Sequence, residues 1–264
     1  MRAAASASDA RVVLDLLAGG ADVRAKDRDG HTPLMYAALD NPYEAVILAL
    51  LEAGANPGER NDYGWNALMY AAANNRNPRV VETLLRAGSD PGARDDEKGR
   101  TALLIAAASN RNPQVVRALV SAGADCSLRD SRRMTALMCA AAENPESSVV
   151  RVLLEAGSDL EARDGEGMTP LMHAAASNWS IAVLRTLLEA GASPNARSED
   201  GLTALLLAAR SSRNPEVIRI LLRGGADPKA TDRTGRSASD YARENPVLDG
   251  SDLFREQGGT AEGG

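Results

Sequence analysis

Twenty residues are written into this chain several times over. AAASNRNPQVVRALVSAGAD stands at 106–125, AAANNRNPRVVETLLRAGSD at 71–90, and the looser AARSSRNPEVIRILLRGGAD at 208–227. An enzyme needs one unique constellation of side chains, whereas repeated text describes a surface made by stacking one unit. The glycine closing each copy falls at Gly20, Gly54, Gly88, Gly123, Gly157, Gly191 and Gly225, in steps of 34, 34, 35, 34, 34 and 34. A second marker keeps the same step at Thr32, Asn66, Thr101, Thr135, Thr169, Thr203 and Ser237. Two phases locked along the chain rule out a single globular core. A period in the thirties predicts stacked helical units.

The unit at 95–129 predicts its own local structure. DDEKGR is polar with a glycine and reads as a turn. TALLIAAAS opens on the capping residue Thr101 and continues in good helix formers. Asn110 ends that helix, a position where asparagine tolerates a left-handed backbone; Asn41, Asn75, Asn144 and Asn178 share its phase. Asn112-Pro113 supplies a cap and a first-turn proline. Val115, Val116, Leu119 and Val120 then fall on one face of a second helix, which Gly123 stops. Asn-Pro sits late at Asn77, Asn112 and Asn214 but early at Asn41 and Asn144. If it always caps the second helix, that helix starts about three residues sooner in the early units; the alternative is a cap at Ser147 with extra loop before it.

Composition narrows the function. Aromatics make up 3% of residues while 44% are hydrophobic, so the core must be Ala, Leu and Val. The net charge of -6 lacks the basic footprint of a nucleic-acid binder, and no nucleic-acid partner is expected. No apolar run approaches a membrane span, so no membrane partner is expected. MRAAASASDA has one arginine and no apolar core, which is not a secretory signal and favours a cytoplasmic setting. Two cysteines, Cys126 and Cys139, make no disulfide framework. The two histidines, His31 and His173, form no His-x-x-x-His pair and there is no CxxC. Neither a metal, a cofactor nor a catalytic set is expected.

The segments GHTPLMYAA (30–38), GMTPLMHAA (167–175), GLTALLLAA (201–209), LLEAGANP (50–57) and LLEAGASPNA (187–196) resemble the signature of the ankyrin-repeat family, over roughly residues 1 to 245. The resemblance implies a mainly α fold, a solenoid of stacked helix–turn–helix units joined by short β-hairpin-like turns. It implies an N-terminal half-repeat (1–26), six repeats (27–60, 61–94, 95–129, 130–163, 164–197 and 198–231), a capping repeat (232–256) and a glycine-rich tail (257–264) expected not to order. The family's histidine after Thr-Pro-Leu is replaced by Met35, Met69, Leu104, Met138, Met172 and Leu206, so apolar packing between repeats is expected there. The incomplete first unit points to an array that continues upstream. The function implied is a non-enzymatic scaffold, expected to be a monomer, that binds a protein partner on its concave hairpin and first-helix surface. The alternatives are a regulatory or targeting module of a longer enzyme or effector, and a purely structural array.

Candidate partner-binding residues come from the hairpins. The residues preceding the Thr-phase markers are His31, Trp65, Arg100, Met134, Met168, Leu202 and Arg236. Trp65, Met134, Met168 and Leu202 would make an exposed apolar strip between basic ends, with Tyr63 beside it; the competing reading packs these side chains on neighbouring hairpins. Six turns place glycine just before this position, but the DSRRMT turn has Arg133. The preceding turn, DDEKGRT, carries the inserted residue. These adjacent irregularities place the expected centre at Arg100, Arg132, Arg133 and Met134, flanked by Trp65 and Met168; the bland alternative is a turn of another type at Arg133. Lys26, Arg60, Arg94, Arg129, Arg163 and Arg197 are expected to pair with the aspartates that follow Lys26, Arg94, Arg129 and Arg163. Arg117, Arg151, Arg185 and Arg219 read as a solvated row with weak pairing such as Arg151 to Glu155. Tyr36, Tyr70, Ile105, Cys139, His173, Leu207 and Tyr241 read as packing between repeats, with His173 a packed histidine.

Overall fold

The computed structural model describes residues 6, 9–177 and 180–248. The 257–264 tail and Asn178 lie outside the described residues. The chain divides into two compact units, Met1–Ala136 with Glu155–Gly157, and Leu137–Leu154 with Ser158–Gly264.

Helices α1 (Ala10–Ala18), α2 (Pro33–Asp40), α3 (Glu44–Glu52), α4 (Ala67–Asn74), α5 (Pro78–Arg86), α6 (Ala102–Ser109) and α7 (Pro113–Ser121) belong to the first unit. There the first helices of successive repeats, α2, α4 and α6, stack on one another, and the second helices α1, α3, α5 and α7 form a parallel layer. Helices α8 (Ala136–Glu143), α9 (Ser147–Glu155), α10 (Pro170–Ser177), α11 (Ile181–Glu189), α12 (Ala204–Ser211), α13 (Pro215–Arg223) and α14 (Ala238–Glu244) follow. In the second unit α10, α12 and α14 stack, as do α11 and α13. Turns join the pairs, and among the described residues the one β-bridge outside a strand links Thr231 to Ser237.

The first helices begin where the marker residues predict. Thr32, Asn66, Thr101, Thr203 and Ser237 accept an N–H from the third helical residue. The second helices end as predicted: Gly123 has φ 87°, and Ala124 N–H reaches back to Leu119 O at 3.0 Å, which satisfies a carbonyl that the helix end would orphan.

Two expectations about the loops are corrected. All second helices after α1 start in one phase, at Glu44, Pro78, Pro113, Ser147, Ile181 and Pro215. Asn-Pro therefore does not always cap them: Asn77, Asn112 and Asn214 do, while Tyr43 makes no side-chain cap and Ser147 is itself the first helical residue. The second correction concerns the asparagines ending the first helices, which are extended rather than left-handed, with Asn110 at φ −82°, ψ 121°. Their use is hydrogen bonding across repeats. Asn110 Nδ2 donates to Ala72 O and Asn75 O, both at 3.0 Å, and its Oδ1 accepts Asn112 N–H at 2.9 Å. Asn75 repeats the pattern onto Ala38 O and Asn41 O, and Asn245 onto Ala209 O and Ser212 O. Each buried amide thus satisfies two carbonyls at the end of the preceding repeat's first helix.

The core is Ala, Leu, Val and Met, as composition requires. Met35, Met69, Leu104, Met138, Met172 and Leu206 are all buried. Sulfur also takes up some polar duty, since Met35 Sδ and Met172 Sδ each accept the N–H of the capping threonine at 3.4 Å. In α1 Val13 is buried, while Leu16 is 46% exposed. In α14 Asp240 closes a capping box with Ser237 and lies 3.4 Å from Arg243.

Candidate partner-binding site

One side chain organises each hairpin. Asn61 Oδ1 accepts Tyr63 N–H at 3.1 Å and Trp65 N–H at 2.8 Å. Asp130 Oδ1 accepts Arg132 N–H and Met134 N–H, both at 2.9 Å. Asp27, Asp95, Asp164, Ser198 and Asp232 serve the same turn position. A short polar side chain that bonds its own backbone a few residues on is a common way to build a tight turn. The expected pairing of a basic residue with the next aspartate is not seen at Lys26, which pairs with Glu59, nor at Arg94 among the described residues. The arginines instead lace the hairpins by their carbonyls: Arg163 Nη1 donates to Gly167 O at 2.9 Å and to Arg197 O at 2.6 Å, and Arg197 Nη1 to Gly201 O and Thr231 O. In the first unit Arg60 bonds Gly64 O and Arg94 O, then pairs with Asp96 at 2.8 Å.

A residue nine positions on anchors several of these turns. Tyr36 hydroxyl donates to Asp27 at 2.7 Å, Tyr241 hydroxyl to Asp232, and His173 Nε2 lies 2.8 Å from Asp164. His173 is 5% exposed and sits in this packed role. The Asp27 carboxyl is held well below the usual carboxylate range, chiefly by the Tyr36 hydroxyl and, against its desolvation, by the N–H groups of His31 and Asp29. The Tyr241 hydroxyl does the same for Asp232. Where the later residue is Ile105, the hairpin turns elsewhere. Burial works to raise the Asp95 carboxyl, but the N–H groups of Arg100 and Lys98 and the Arg100 guanidinium outweigh it and lower it.

The candidate residues distribute as follows. Trp65 is partly exposed; its ring lies 5.0 Å from Tyr70, and the Arg100 guanidinium sits 5.7 Å from its centroid. Arg100 is not free for a partner. It bonds the buried Asp95 carboxylate through Nε and Nη2, both at 2.9 Å, and acts as a brace behind Trp65. Tyr63 is 56% exposed, 6.5 Å from the His31 ring. Met134 and Leu202 correct the expected apolar strip, being 4% and 8% exposed. They pack inward, because burying a large apolar side chain gains about 1.5–3 kcal/mol. Met168, in the second unit, is partly exposed. Arg132 and Arg133 are exposed, and Arg133 has φ 63°, the one positive φ at a non-glycine among the described residues. The turn is therefore of the same kind as its glycine-bearing counterparts, closed by Arg133 N–H to Asp130 O at 2.9 Å.

Other features lie off the hairpins. A groove of about 680 Å³ between α5 and α7 is lined by Leu85, Ser89, Pro91, Arg117, Ala118 and others. Arg117 there pairs with Glu155 at 2.9 Å, so the expected Arg151–Glu155 pair is replaced; Arg151 bonds Ser147 Oγ instead. Asp27, Asp29 and His31 bring possible metal-ligand atoms within 4.8 Å of one another. The turn itself accounts for this, because Asp27 Oδ1 accepts the N–H groups of Asp29 and His31.

Helix pairs stacked through Ala-Leu-Val faces and joined by braced polar hairpins define a helical-repeat protein. The family description "Ankyrin repeats (3 copies)" matches residues 1–95, 71–164 and 141–232, and the chain belongs to the ankyrin-repeat family. Ankyrin repeats are general protein–protein interaction modules and are typically non-catalytic. No curated protein matches the chain.

Proposed function

We propose that this chain is a non-enzymatic scaffold that captures a partner protein on its hairpin edge and adjoining first helices, centred on Tyr63, Trp65, Arg132 and Arg133. The carrying observation is the exposure of Tyr63 and Trp65 on a turn held by Asn61, in a chain with only two Trp, five Tyr and one Phe. The first helix beside these hairpins, α6, contributes little side-chain chemistry of its own, since it is buried up to Ala107 and then offers Ala108 and Ser109. Recognition therefore falls to the hairpins. Aromatic and arginine side chains dominate binding hot spots, and rings already fixed by a brace lose little freedom when a partner arrives. The Arg100–Asp95 pair supplies that brace behind Trp65.

Affinity capture with the intact chain, set beside capture with Trp65→Ala and Tyr63→Ala, tests this. Either variant should lose the partner while its helical circular dichroism persists. Undiminished capture by both variants would remove the hairpin edge as the site.

A further inference from the structure

We infer that the captured partner segment is acidic, and that a cationic fork of Lys98, Arg132 and Arg133 reads it; this rests on the hairpin-edge reading above. The nearby basic side chains are mostly spent, while the exposed Glu97 and Asp62 carry no ion pair among the described residues. Arg60 pairs with Asp96, Arg100 with Asp95, and Lys26 with Glu59. Arg94 donates to Gly99 O and Arg129 O, and Arg129 to Arg133 O. Lys98, Arg132 and Arg133 are exposed, and no side-chain hydrogen bond or ion pair engages them among the described residues.

The backbone brings the three together. Asp95 N–H closes the third hairpin on Arg100 O, one residue further along than Asn61 closes on Trp65. The inserted residue makes room for Lys98 at the tip, and Ser131 N–H of the fourth hairpin bonds Lys98 O at 2.8 Å. The fork is thus built on two stitched turns. Arg133 occupies the left-handed position that glycine holds at Gly30, Gly64, Gly99, Gly167, Gly201 and Gly235. A long side chain stands where glycine is the easy choice, and it puts an exposed cation on the turn. Guanidinium groups match carboxylates in two-point geometry. On the other side of the third hairpin, Asp96 N–H bonds Tyr63 O at 3.1 Å. A segment with adjacent Asp or Glu followed by an apolar side chain fits that order of cations and aromatic ring. The net charge of -6 disfavours a long polyanion such as nucleic acid, whose field would meet the rest of the molecule.

A random peptide display library selected against the full chain at about 0.1 M salt tests the inference, with the enriched peptides then titrated by fluorescence anisotropy. Enriched peptides should carry clustered Asp and Glu. Their affinity should fall roughly tenfold for Arg132→Ala combined with Arg133→Gly, and similarly when the peptide acids become amides. Arg133→Gly suits the turn, so loss of binding would not reflect loss of fold. Failure to enrich acidic peptides, acidic peptides indifferent to the double variant, or stronger binding of a single-stranded DNA probe would each overturn the inference. If the selected peptides are not acidic yet weaken with Tyr63→Ala, the hairpin-edge reading stands without it. Peptides indifferent to Tyr63, Trp65 and Arg132 alike would end both.

Discussion

Arg133 shows what a single residue can reveal in a repeating sequence. Its φ of 63° is the conformation that a glycine-phase position demands, so the irregularity in DSRRMT marked a strained turn and not a different one. Replacing it by glycine should raise stability by about 1 kcal/mol, read as a higher urea midpoint with unchanged slope; a lower midpoint would mean the arginine contributes to the fold. Ser89 is a second such case. It is 4% exposed and its hydroxyl has no hydrogen-bond partner among the described residues, while Ala55, Ala124, Ala192 and Ala226 occupy its phase in other repeats. Ser89→Ala should therefore stabilise by about 1 kcal/mol, and destabilisation would reveal a bond to that hydroxyl. Not every residue was this legible. The asparagines announced themselves by phase, but their amide bonds reach the preceding repeat, and no pattern within one unit encodes a cross-repeat partner. Lys98 was passed over because its only signal is the insertion beside it.

At the level of helices and turns the sequence was read well wherever the rule was local. Capping threonines, first-turn prolines and terminal glycines act within a few residues, and the helix ends fall on them. The early Asn-Pro pairs misled because stacking fixes the start of each second helix more firmly than a cap does. The exposed apolar strip failed for a related reason: sequence phase locates Met134 and Leu202 on the hairpin but does not say which way the side chains turn. Packing also sets how much each repeat matters. Leu119 is fully buried between neighbours, so Leu119→Ala should cost about 2–5 kcal/mol. Leu16, half-exposed in α1, should tolerate alanine at a cost within about 1 kcal/mol. Chemical melts of the two variants decide this, and comparable losses would contradict the shallow burial of Leu16.

Across the whole molecule, the hairpins tie stability to pH. The carboxyls of Asp27, Asp95 and Asp232 are depressed in the folded chain. A depressed carboxyl contributes stability that is fully present above the unfolded value near about 3.9 and is lost as pH falls through the folded one. Urea midpoints should therefore hold from neutral pH to about 5 and drop below about 4. Tyr36→Phe combined with Tyr241→Phe, which removes the largest cause of the shift at two sites, should flatten that drop. A wild-type midpoint unchanged at pH 3 would show that the turns do not depend on ionised aspartates.

The hairpin edge as the partner surface is tested most directly by photo-crosslinking. A photoreactive phenylalanine analogue would be placed singly at Tyr63 and Arg132 on the hairpins, and at Arg151 and Arg185 on the exposed row of second helices. Each variant would then be exposed to the partner recovered by affinity capture. Crosslinks should form at 63 and 132 and be absent at 151 and 185. Crosslinks confined to 151 and 185 would contradict the account, since the partner would then sit on the second helices.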